Sequence, residues 1–153
     1  MRRNSSLGKC WFLLLAAVLM ATLLPGQTFA QAIKLEAQLV WGTDTKVDGS
    51  PTHKPVGPEV QKKLSELPLK YSHYYEINRK AFDVDNNSRK VELSEKCQVE
   101  VKSLKDSKVE VVLFGKGKEV VRRTQTLPKG EMLVLAGNAP NATAWLVTLK
   151  RIE

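Results

Sequence analysis

Two cysteines and two histidines occur in this 153-residue chain, and they bound its nucleophilic and metal chemistry. Cys97 has the atom a nucleophile or a redox site needs, but chemistry requires a thiolate held in polar surroundings. Its phase argues the other way. Cys97 alternates with Val99 and Val101 against Gln98, Glu100 and Lys102, so it belongs to an apolar face, where a free cysteine packs as a small hydrophobe and its pKa rises. No second thiol stands at CxxC spacing. His53 and His73 are twenty residues apart and neither has a companion at zinc-ligand spacing.

Other apparent motifs fail at their most demanding positions. Asp83, Asp85 and Asn87 begin like a calcium loop, yet Ser88 stands where the bend wants glycine and Ser94 where a bidentate glutamate is needed, with Glu95 one residue late. Asp85 to Ser88 reads instead as a hairpin turn using Asn86 and Asn87, which tolerate positive φ. Gly115-Lys116-Gly117-Lys118 is too short between its glycines to cradle phosphates and precedes a strand, so it reads as a hairpin turn with its lysines in water. No serine lies in a Gly-x-Ser-x-Gly turn, and nothing pairs two carboxylates as acid and base. No catalytic residue, cofactor or metal ligand is therefore assigned.

What remains is aromatic. Tyr71-Ser72-His73-Tyr74-Tyr75 follows Trp41 after a loop rich in glycine and proline. Such residues wall a ligand pocket, stack on a sugar or planar ring, or cover a sheet edge. Trp41, Tyr71, His73, Tyr74 and Tyr75 are thus the candidate binding residues.

These groups sit in a chain marked for export. Arg2, Arg3 and Lys9 precede an apolar run from Cys10 to Leu24, then small residues with Thr28 and Ala30 at the spacing a signal peptidase reads. The run is shorter than the roughly 20 residues that span a bilayer, so residues 1–30 are expected to form a signal-peptide helix cleaved after Ala30, or after Ala32. Residues 31–153 form a single domain, with no stable membrane span after cleavage. Removing the leader takes three basic residues and leaves 21 against 16 acidic ones, a net charge near +5 instead of +8. Cys97 is then the sole thiol, and no intrachain disulfide can form. A disulfide-free domain in an oxidising compartment points to a bacterial periplasm or the extracellular space.

The domain reads as mainly β. Ile33, Leu35, Ala37, Leu39 and Trp41 alternate with Lys34, Glu36, Gln38 and Val40, the second set facing water. Gly42 to Gly57 reads as a long loop, and Pro58 to Leu67 as one short helix stopped by Pro68. From Tyr71 onward, alternating segments are separated by short turns, with Tyr71, His73, Tyr75 and Ile77 on one face. Short connections join antiparallel neighbours. The expectation is an antiparallel meander of about seven or eight strands, curled into a sandwich or small barrel. Arg122, Arg123 and nearby lysines alternate with Glu92, Glu95, Glu100, Glu110 and Glu119, a pattern of cross-strand pairs on a solvated face. Nucleic acid is disfavoured as a partner accordingly.

The layout, from the Leu35 to Trp41 strand through Leu127-Pro128-Lys129-Gly130 and Leu133-Val134-Leu135-Ala136-Gly137 to the Trp145 to Leu149 strand, resembles that of small exported bacterial β-domain proteins of uncharacterised function. That resemblance implies the compartment and carries over no functional residue. The expected role is a non-catalytic envelope module that binds a partner protein or an anionic polymer. The alternative is a small-ligand carrier or enzyme with a pocket around Trp41, Tyr71, His73 and Tyr75.

Overall fold

The computed structural model describes residues 32–69, 71–137 and 143–153, so the expected leader lies outside the described residues. Strands run in the order β1 (Ile33–Thr43), β2 (Lys54–Pro55), β3 (His73–Val84), β4 (Arg89–Ser94), β5 (Cys97–Ser103), β6 (Lys108–Gly115), β7 (Lys118–Thr126), β8 (Met132–Gly137) and β9 (Ala144–Arg151), with helix α1 (Pro58–Ser65) between β2 and β3. They form two antiparallel sheets, ordered β2-β3-β1-β9-β8 and β4-β5-β6-β7. Leaving β2 aside, the strands follow chain order around the molecule, and β9 closes against β1. The fold is a two-sheet sandwich with the connectivity of an up-and-down barrel. Among the described residues no helix is long and apolar enough to cross a membrane.

The core explains the alternation. Leu35, Ala37, Leu39, Phe82, Val84, Leu133, Leu135, Val147 and Leu149 of the first sheet meet Leu93, Val99, Val101, Val109, Val111 and Leu113 of the second. The second face of the first sheet departs from the expectation of water. Val40 and Leu146 are wholly buried there, together with Tyr74, Met132 and Ala144, because Val60 and Leu64 of α1 pack on them. Pro58 starts the helix, Glu59 lies in its first turn and Lys62 and Lys63 in its last, each charge complementing the helix dipole. Lys150 of β9 holds Glu59 at 2.7 Å. The helix ends at Ser65, two residues short of the expected Leu67, which lies in the turn that follows.

Two further expectations change. The Asp85 to Ser88 turn joins strands of different sheets, so it is a crossing and not a hairpin. Neither Asn86 nor Asn87 has positive φ; the Asp85 carboxylate accepts a hydrogen bond from the Asn87 N–H at 2.8 Å and bends the chain instead. The Gly42 to Gly57 segment is less irregular than its composition suggests. β1 continues through Thr43, and Lys54–Pro55 pairs with Glu76 and Tyr75.

Candidate functional site

On the inner face of β1 and β9 the core ends at Leu39 and Val147. The next inward residues towards that end of the sandwich are Trp41 and Trp145, which lie directly opposite each other; Tyr75 of β3 lies opposite Trp41 on its other side. Direct cross-strand partners share a face, so the three rings form one row across three strands. Trp41 and Trp145 stack with centroids 6.3 Å apart and planes at 25°, and Trp41 and Tyr75 lie 6.0 Å apart. His73, two residues before Tyr75, tilts against it at 6.3 Å.

A β-bulge makes this row. Leu39 pairs with Asn78 but Val40 pairs with Glu76, leaving Ile77 as the extra residue. Phe82 and Val84 face the core on even positions; uninterrupted alternation would turn Tyr75 and His73 to the opposite face. The bulge reverses the phase and brings them beside Trp41.

The 44–53 segment straps over the row. The Tyr75 hydroxyl accepts a hydrogen bond from the Val47 N–H at 2.9 Å, and the Asp44 carboxylate takes both the Ser72 N–H and hydroxyl at 2.9 and 3.0 Å. His53 rests edge-on against Trp41 at 5.3 Å. Its Nδ1 lies 2.8 Å from Ser50 Oγ and 3.0 Å from Thr52 Oγ1. A serine bonded to a histidine is the beginning of a nucleophile and base pair, but here Thr52 shares the same ring nitrogen. Among the described residues no carboxylate orients the other nitrogen. The bonds shape the turn at 50–53.

The five candidate residues therefore separate. Trp41, His73 and Tyr75 share the row. Tyr71 and Tyr74 lie on the other side of the sheet, edge to face at 6.3 Å and packed with the helix. Gly42 leaves room for both: a Cβ there would sit 3.1 Å from each ring. The expected common face of Tyr71, His73, Tyr75 and Ile77 is corrected for Tyr71, which precedes the strand and packs on the helix side, whereas Ile77 packs against the core on the side of His73 and Tyr75. Burial pushes the Tyr74 pKa up.

Sequence reasoning missed Trp145 and His53. Trp145 was hidden by being in phase with the core residues Val147 and Leu149, yet it is 44% exposed. Among the described residues the other large exposed apolar side chain, Val120, belongs to the same end. It is the extra residue of a bulge in β7, where Leu113 pairs with Val121 but Phe114 with Glu119. Its side chain reaches towards Gly137, the direct partner of Trp145.

Elsewhere the chemistry-bearing groups are quiet. Cys97 packs against the core, and burial pushes its pKa up to about 11, which keeps the thiol protonated at neutral pH. Among the described residues no group of three His, Cys, Asp or Glu side chains converges on a metal site. On the outer face of the second sheet Arg122 bridges Glu110 of the neighbouring strand at 3.2 Å, the cross-strand pairing expected of a solvated face, and Glu119 of its own strand at 2.8 Å. Comparison with family models, curated proteins and solved structures gives no match to this chain.

Proposed function

We propose that the chain is an exported, non-catalytic binding module of the bacterial envelope, and that the open end around Trp145, Trp41 and Tyr75 is where it takes a partner protein or an anionic polymer. The carrying observation is the state of Trp145. Its ring is open to water, yet stacked on a second indole that His53 and Tyr75 hold in turn. A large ring fixed before binding loses little conformational freedom on contact and regains the hydrophobic free energy of its exposed face. Val120 extends that apolar surface.

The carrier reading draws on the same row, with Trp41, Tyr75 and the two histidines as walls. Tyr71 and Tyr74 do not contribute, because the sheet itself separates them from the row. Immobilised mature chain exposed to envelope extract tests the two readings. Retention of a partner by the wild type and by Arg122→Ala, with loss in Trp145→Ala, supports the binding end. Equal retention by all three places the surface elsewhere. No retention, together with a raised Tm in the presence of small envelope metabolites, favours the carrier.

A further inference from the structure

We infer that the ligand of this end is an acidic polysaccharide, with a sugar ring stacked on Trp145 and carboxylates along the chain met by Lys96, Lys116 and Lys118. The inference rests on the binding reading above and names its ligand class. Its basis is a cluster of cations that the fold brings to the aromatic end. The β4–β5 and β6–β7 connections are two-residue turns, closed by the pairs Ser94 with Cys97 and Gly115 with Lys118. The Lys116 N–H donates to the Lys96 carbonyl at 2.8 Å and ties the two tips together. Lys116 and Gly117 both have positive φ, 50° and 77°, the backbone of a tight hairpin that points its side chains outward.

Val120 links this cluster to the aromatic row. It lies two residues beyond Lys118; a Cβ at Gly115 would sit 3.0 Å from one of its methyls, and one at Gly137, beside Trp145, 3.5 Å from the other. Lys96, Lys116 and Lys118 are exposed, and none makes an ion pair among the described residues. Lys102, Lys105 and Lys108 are likewise exposed and outside any ion pair among the described residues, so what marks this cluster is its place at the aromatic end. The carboxylates of this end are Glu95 in the tip itself, Glu119 held by Arg122, Asp44 held by Ser72 and Asp48 held by Lys46. Three uncommitted cations thus face one uncommitted carboxylate, Glu95.

The combination separates ligand classes. A nucleic-acid strand is read by several stacking rings and a groove of cations that tracks the backbone, whereas a single large ring is exposed here among the described residues, with the three lysines of the two turn tips beside it. A protein interface is enriched in tryptophan but depleted in lysine. One stacking ring flanked by point charges suits a chain of sugar rings with carboxylates at its edge.

The test uses mature exported protein, oligogalacturonate and its methyl ester, which keeps the ring and removes the charge. Calorimetry and tryptophan emission should show oligogalacturonate binding that weakens with salt. The ester, Trp145→Ala and the triple Lys96, Lys116 and Lys118→Gln variant should each bind about tenfold more weakly or worse. All four substitutions are at exposed positions, and circular dichroism checks that the fold is kept. Equal binding of the ester, wild-type binding by either variant, or tighter binding of oligothymidylate overturns the inference. If oligogalacturonate does not bind but Trp145→Ala still loses an envelope partner, the ligand class is wrong and the binding end stands. If Trp145→Ala changes neither, both fall.

Discussion

The two faces of the first sheet carry aromatic residues at the same end and use them in opposite ways. On one face Tyr74, with Tyr71 beside it, is sealed under α1 with Val40, Leu146 and Leu64. On the other, Trp41, Tyr75 and Trp145 line up where the core stops, and the row ends in an exposed indole. Residue type does not distinguish them. What differs is the cover: a helix docked through Val60 and Leu64 on one side, a hydrogen-bonded strap that leaves Trp145 open on the other. Aromatic clusters thus become structural or available for binding according to which side of the pleat they occupy.

That contrast can be broken by substitution, and the sealed face should be the more sensitive. Leu146→Ala removes a fully buried side chain beneath α1 and is expected to cost about 2–5 kcal/mol in denaturant unfolding. Gly42→Ala, which pushes a methyl against Tyr71 and Tyr74, should cost about 1–3 kcal/mol by overpacking. On the open face the effects shrink. Tyr75→Phe leaves the Val47 N–H without its acceptor and should cost about 1 kcal/mol, with faster amide exchange across residues 44–53. Trp145→Ala loses chiefly its stacking on Trp41 and should cost about 0.5–1 kcal/mol. A larger loss from Trp145→Ala than from Leu146→Ala would reverse the comparison.

A separate effect is set by pH. The Cys97 thiol is raised from 9.0 to about 11 in the folded chain, through burial. Its neutral form is favoured by folding, so its contribution is fully present below pH 9 and is lost as the pH rises towards 11. Alkylation of Cys97 at pH 9 should accordingly be much slower in native than in denaturant-unfolded protein. Equal rates would place the thiol in water.

Much of this architecture was legible in the residues. The alternation of Ile33 to Leu39 and of Cys97 to Val101 assigned their inward faces, because burial on a strand has a period of two. The Gly115 to Lys118 turn was legible from its glycines. The sheet order was less so: turns of similar length at Asp85–Ser88 and Lys105–Ser107 join different sheets in one case and hairpin neighbours in the other, and local composition does not separate them. The site was half legible. Trp41, His73 and Tyr75 were recognised; that Tyr74 faces away from Tyr75 follows from the period of two itself, whereas the docking of α1 over Tyr71 and Tyr74 is a tertiary fact. The one trace of the bulge at Ile77 in the sequence is a change of phase, from Tyr75 on odd positions to Phe82 and Val84 on even ones. Trp145 was hidden because nothing in a strand's pattern says where the opposing sheet ends.

The open row is tested most directly by following the indole N–H signals of residues 31–153 in heteronuclear NMR during titration with the partner that the immobilised chain retains. The account predicts that the Trp145 indole shifts first, with the amides of Gly137, Val120 and Lys116, while Leu64 and Glu100 stay in place. Shifts centred on α1 or on the outer face around Arg122, with both indoles unmoved, would contradict it.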